Sequence, residues 1–180
     1  MPTPERHHEI AIRVRTISQL FNSLDPSPFR EKDLDADTEE FVIGWARELP
    51  VGAPFVIAVE LPPEEAAKPE AAKIGEAFTN YFQHRADIAQ LELRELFRVG
   101  WRSLAIGLVV LIACLVGSQI VAGVIGNAVV ARVLEESLII VGWVANWRPI
   151  EIYLYDWWPI RRRILLYRRI AAAPLNVRSR

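Results

Sequence analysis

The chain of 180 residues has one cysteine and one methionine, and no lysine follows Lys73. A single cysteine excludes an intramolecular disulfide and any metal site that needs several thiolates. Cys114 lies inside an apolar run, where it reads as a small buried hydrophobe rather than a reactive thiol. There is no glycine-rich phosphate loop and no HExxH, GxSxG or CxxC motif. No catalytic residue, cofactor or metal is therefore expected, and the chain does not read as an enzyme. His7 and His8 are neighbours on a strand pattern and point to opposite faces, which makes them a poor chelating pair. The opening residues, MPTPERHHEI, contain no apolar stretch of the kind that directs secretion, so residues 1–99 are expected in the cytoplasm.

Positive charge is scarce in the first part of the chain and negative charge in the second. Residues 1–99 carry 18 acidic and 11 basic side chains, and residues 100–180 carry 4 and 10. Such asymmetry points to two environments. The later arginines abut apolar segments and accompany no nucleic-acid recognition motif, so a membrane surface is the expected partner and nucleic acid is not.

The longest absence is of charge altogether. From Ser103 to Ala131 the chain runs 29 residues without one. A membrane span needs about 20 apolar residues, so this run exceeds one span and falls short of two. The apolar stretch SLIIVGWVANW continues it to Trp147. A helical hairpin is expected, with spans at 101–122 and 128–147 and a turn near Gly123–Asn127, where glycine and asparagine tolerate left-handed angles. A buried core helix is the alternative for either piece, but a domain this small could not enclose both. Arg94, Arg98 and Arg102 precede the first span, and Arg148, Arg161, Arg162, Arg163, Arg168 and Arg169 follow the second. The turn has no basic residue, so both termini are expected on the cytoplasmic side of a multi-pass membrane protein.

Six tryptophans remain to be placed. Trp101 opens the first span, while Trp143, Trp147, Tyr153, Tyr155, Trp157 and Trp158 form an expected aromatic belt at the inner interface. An aromatic cage for a ligand is the competing reading. Pro149 and Pro159 are expected to break the helix there. Ile160, Ile164, Tyr167 and Ala171 then recur at helical spacing beside the arginines, the pattern of an interfacial amphipathic helix whose Arg161, Arg162 and Arg163 reach anionic lipid headgroups. Within the second span Arg132, Glu135 and Glu136 are spaced for i to i+3 and i to i+4 pairing. They read as an ion pair at headgroup level or, alternatively, as part of an ion or proton path.

Before the apolar half, Ile10, Ile12 and Val14 alternate with polar residues over 9–16, a half-buried strand. DLDADTEE offers Asp33, Asp35 and Asp37 at calcium-loop spacing, but Thr38 and Gly44 occupy positions that need glycine and glutamate. Asp37 with Glu40 instead predicts a capped helix turning Phe41, Val42, Trp45, Ala46 and Leu49 inward. Residues 54–61 predict a second strand apolar enough to be covered on both faces. A long helix is expected from about Pro69 into the membrane, with Ile74, Phe78, Tyr81, Ile88 and Leu96 on one side and His84 and Asp87 as a surface pair. Two strands make a marginal sheet. A third is expected from another copy or from the tail APLNVRSR, which reads equally as a frayed end or as a strand placing Leu175 and Val177 beside Ile10, Ile12 and Val14.

The strings FNSLDPSPF at 21–29, VGWVANWRP at 141–149 and YDWWPI at 155–160 resemble a family of small uncharacterised bacterial integral membrane proteins. The resemblance implies an inner-membrane location and brings no activity. The expected fold is an α+β membrane protein: a small α/β domain at 1–66, a helical stalk at 67–100, a transmembrane hairpin at 101–147, and an interfacial segment and tail at 148–180. The expected role is a membrane-anchored binding, scaffold or regulatory module for an unknown protein partner, as a homo-oligomer. A channel or transporter subunit using Arg132, Glu135 and Glu136 is the alternative.

Overall fold

Alternation of Ile10 and Ile12 with Glu9, Ala11 and Arg13 forms the first strand, β1 (His8–Arg13). The computed structural model describes residues 8–50 and 52–180, apart from the side chain of Glu31; His7 lies outside the described residues. β1 ends earlier than its apolar pattern, because a 3-10 turn at Ile17–Leu20 follows. Val14 still donates its amide to Glu60 O at 3.2 Å.

The next helix, α1 (Ala36–Glu48), is capped two residues earlier than the expected Asp37. Asp35 is its N-cap, and the side chain accepts from Asp37 N at 3.1 Å. The inward face is Thr38, Val42 and Ala46, and Phe41 and Trp45 are exposed. The expectation that both aromatics turn inward is corrected. The residues that bury lie four positions apart, about one helical turn, and are small, so the helix axis can approach its neighbours closely.

β2 (Phe55–Leu61) is the central strand of a three-stranded parallel sheet ordered β1-β2-β3. The third strand is the tail, β3 (Leu175–Ser179), so the frayed-end alternative is set aside. Its partner is β2. Leu175 lies opposite Ile57 and Val177 opposite Val59, with β2 between them and β1. They share a face with Ile10 and Ile12 without being their neighbours. That face is the core side, where Ile10, Ile12, Ile57, Val59 and Leu61 are buried. On the other face Arg13 meets Glu60 at 2.7 Å, and Arg178 grips Glu9 through two bonds of 2.6 and 3.2 Å.

Contacts divide the chain into two compact units. The first contains residues up to Ala89 together with Arg162–Arg180, and the second is Gln90–Arg161. A short helix, α2 (Pro63–Ala66), and a 3-10 turn at Ala71–Lys73 lead from β2 into α3 (Ile74–Val124). In the first unit α3 buries Ile74, Ala77, Phe78, Phe82, Ala86 and Ala89. Ile74, Phe78 and Phe82 each contribute about 1.5–3 kcal/mol on full burial, and the alanines less.

The second unit holds the rest of α3, then α4 (Ala128–Val144), α5 (Trp147–Glu151), a π-helical turn at Ile152–Asp156 and the start of α6 (Trp157–Ala171). The turn expected at 123–127 narrows, since α3 continues to Val124. Asn127 caps α4 by accepting from Val129 N and Val130 N. Among the described residues one helix, Ala71–Val124, is long and apolar enough to cross a membrane; α4 is shorter.

At Pro149 the expected break is present: α4 ends at Val144, and Pro149 sits in the first turn of α5, where no amide donor is required. At Pro159 the expectation is corrected, because the chain stays helical through the π turn into α6. The irregularity falls just before Pro159. An α-helix there would need an amide from residue 159 and room beside the Tyr155 carbonyl, and the π turn removes that need. The Trp157 indole donates to Tyr153 O at 2.9 Å within the same turn.

The C-terminal part of α6 differs from the expected interfacial helix. Ile164, Tyr167, Ile170 and Ala171 are buried within protein, and the Tyr167 ring lies 6.3 Å from Phe82. Arg169 stacks 5.1 Å over Phe55 and donates to Ala53 O at 2.6 Å. The amphipathic spacing is present, but the sheet unit takes up its apolar side.

Candidate functional site

In the first unit the loop 22–33 is tied together by its own polar groups. Residues 20–22 and 33–35 close it: Phe21 bridges Leu34, Asn22 N donates to Asp33 O at 2.8 Å, and Asp35 N donates to Leu20 O at 3.0 Å. Phe21 anchors it edge-on to Phe29 at 4.8 Å and to Phe78 of α3 at 6.4 Å. Within the loop the Asp25 carboxylate accepts from Ser27 N at 2.9 Å and from Asp33 N at 2.7 Å. These amides, Asp33 first, and the Ser27 hydroxyl hold the Asp25 carboxyl below the usual carboxylate range.

This loop faces a flank of α3 and leaves a cleft of about 400 Å³ lined by Asp25, Ser27, Asp33, Asn80, Tyr81 and His84. Asn80, Tyr81 and His84 share that flank because they fall one turn apart, beside the buried stripe of Phe78 and Phe82. Asn80 Nδ2 donates to Arg30 O at 3.1 Å, and the Tyr81 hydroxyl donates to Glu39 at 2.8 Å. Glu39 is held in turn by Arg85 at 2.6 Å. Burial, and then the Glu39 carboxylate, push the Tyr81 hydroxyl well above its ordinary value. Sequence reasoning placed Tyr81 on an apolar side and His84 with Asp87, and missed the cleft. The available signal was the density of asparagine, aspartate, serine and proline at 22–28, a rigid-loop composition.

In the second unit α3 and the returning chain lie against each other through glycines. A Cβ on Gly107 would meet Asn146 and Ala145 O, one on Gly142 would meet Leu111 and Cys114, and one on Gly100 would meet Ile152. Asn146 Nδ2 donates to Gly107 O and to Gly142 O, each at 3.0 Å, and so joins the helices. Ser118 is buried with its hydroxyl on Leu115 O. Sequence reasoning missed Asn146, whose signal was a lone amide inside an apolar run, four residues after a glycine.

The expected interface residues are distributed along this pair. Trp101, Trp143, Trp147 and Trp158 are exposed, and Trp157 is half-buried. Trp157 and Trp158 meet edge-on at 5.7 Å, and Arg161 stacks 5.6 Å over Trp157. Arg162 is exposed and Arg163 half-buried. Trp147 donates to Glu151 at 3.0 Å, while Arg148 pairs with Glu151 at 3.2 Å and Asp156 at 3.1 Å. Of the charged trio, Arg132 pairs with Glu136 at 3.6 Å, both exposed. No group among the described residues could hold a metal ion.

No family model, no curated protein and no solved structure matches this chain.

Proposed function

We propose that the protein is a membrane-anchored binding module, in which the second unit crosses the bilayer as a hairpin and the first unit carries the polar cleft on the cytoplasmic side. The observation that carries this reading is the sheet order. The chain leaves the first unit on α3 after Ala89 and rejoins it at Arg162, then β3 pairs with β2. A chain that departs from a folded unit and returns to complete the same sheet must cross a bilayer an even number of times. If α3 spans, the return segment must span too.

The glycine contacts supply a register for that return. Gly117 lies near Leu138, Gly107 near Asn146 and Gly100 near Ile152. At about 1.5 Å per residue, a 30 Å hydrocarbon band over 103–122 is then level with about 132–151. Arg132 lies at the outer rim of that band with Glu135 and Glu136 about 4.5–6 Å inside it, and Glu151 lies at the inner rim with Arg148 about 4.5 Å inside, all well short of mid-depth. This favours an anchor over a channel subunit, which needs charges at mid-depth. The same register sets Trp143 level with Leu111, in the middle of the band. The aromatic belt then consists of Trp101, Tyr153, Tyr155, Trp157 and Trp158, with Trp147 about 6 Å inside.

Reporter fusions at residue 1, near Gly126 and at Arg180 test the anchor. The expected pattern is an external signal at Gly126 alone. An external signal from either terminal fusion overturns the hairpin.

A further inference from the structure

The string FNSLDPSPF and the α3 residues opposite it do nothing for membrane anchoring, yet they build the cleft. Its wall can be read as a balance of hydrogen-bond donors and acceptors. The Ser27 hydroxyl spends its proton on Asp25. The Tyr81 hydroxyl spends its proton on Glu39, and the Asn80 amide gives one of its two to Arg30 O. What these groups turn to an incoming molecule is therefore mostly oxygen lone pairs: Ser27 Oγ, Tyr81 Oη and Asn80 Oδ1, against the remaining Asn80 N–H and one ring N–H of His84. Asp25 and Asp33 add two carboxylates, and Asp33 is exposed at the rim.

Two of the cations near the cleft are engaged elsewhere. Arg30 reaches Glu76 at 3.1 Å, and Arg85 is on Glu39. Lys32 stabilises Asp25 from a distance without being part of the lining. A pocket rich in acceptors and poor in donors is satisfied by a ligand that brings donors and positive charge together. A metal ion does not meet this description here, because the carboxylates and His84 do not converge as a ligand set.

We propose that the cleft lined by Asp25, Ser27, Asp33, Asn80, Tyr81 and His84 binds a small organic cation bearing an ammonium or guanidinium group. The volume, about 400 Å³, lies within the range of small-molecule sites. The cation's N–H groups take the lone pairs of Ser27, Asn80 and Tyr81, while Asp25 and Asp33 balance its charge. Asp25 is held in place by backbone amides and keeps its shape without ligand, and Asp33 is the member free to close on it. This assignment rests on the binding-module reading for its purpose but not for its chemistry.

The test is calorimetric titration of the full chain in maltoside micelles with agmatine and putrescine, with sorbitol and inorganic phosphate as comparison solutes. The expected result is saturable binding of at least one amine at millimolar concentration or below, with neither sorbitol nor phosphate bound. Asp33→Asn should weaken it about tenfold, the scale of one hydrogen bond to a charged group. Asp33→Lys, which sets the protein's own ammonium at the rim, should abolish it while the melting temperature stays at the wild-type value. If neither amine binds the wild-type chain, if sorbitol or phosphate binds instead, or if both Asp33 variants bind as wild type does, the assignment is overturned. Failure of the topology reporters removes the anchor and leaves this binding result unaffected.

Discussion

Asp25 shows how one side chain can hold a loop in shape. Its two oxygens accept the amides of Ser27 and Asp33, which lie on opposite arms of the loop. Those bonds are stronger to the ionised carboxylate and hold its folded pKa below the unfolded value. The linkage sign follows: the contribution to stability is present above the unfolded pKa and is lost as pH falls through the folded one. Amide exchange in residues 22–33 should therefore accelerate, relative to the rest of the first unit, as pH drops below the ordinary carboxylate range. In Asp25→Asn that extra pH dependence should disappear. Equal pH dependence in both proteins would mean that Asp25 does not hold the loop. Glu65, lowered by Lys68 first and then by the Ile17 amide, acts in the same direction beside it.

Among the elements, the α3–α4 pair depends on how closely two backbones approach. A Cβ at Gly107 would lie 2.7 Å from Asn146 Oδ1 and 2.9 Å from the Ala145 carbonyl, which is backbone and cannot swing aside. At Gly117 the nearest atom is Leu138 Cδ1 at 3.7 Å, an ordinary contact. Gly107→Ala should destabilise the pair by about 1–3 kcal/mol, the usual scale of overpacking, and Gly117→Ala should be neutral within about 0.5 kcal/mol. Asn146→Leu should fall between them, since interhelical hydrogen bonds in a bilayer average about 0.6 kcal/mol. Unfolding of the detergent-solubilised chain reads all three. A Gly107→Ala protein as stable as the wild type would count against this packing.

For the molecule as a whole, the decisive connection is the one that closes the sheet. β2 ends at Leu61 and its neighbour β3 begins at Leu175, so the second unit is an insertion within a single crossover. Pairing at that sequence separation carries a loop-closure cost that is met only after residues 162–180 have returned. Deleting residues 174–180 leaves β1 and β2 as a two-stranded sheet and removes the Arg178–Glu9 pair. The first unit should then melt at a lower temperature and residues 8–89 should become protease-sensitive, because two strands alone are marginal. Leu175 and Val177 are half-buried, so the loss should stay below the roughly 3–6 kcal/mol that full burial of two such side chains contributes.

What residue order by itself determined is what depends on neighbours a few positions apart. The alternation of Ile10 with Ile12, a turn near Gly123–Asn127, the uncharged run that α3 shares with the start of α4 and the apolar spacing of α6 are all local, and each was legible. Tertiary structure decided which partner each face meets. Phe41 and Trp45 look like core residues, yet Thr38, Val42 and Ala46 are buried, because close approach selects small side chains. Ile164 and Tyr167 look lipid-facing, yet they pack into the sheet unit, Tyr167 with Phe82 nearby. The cleft combines a loop at 22–33 with a helix face at 80–84, and β3 joins a strand more than a hundred residues earlier. Periodicity records that a side chain will leave water. It does not record what it will meet, since that free energy belongs to contacts between distant parts of the chain.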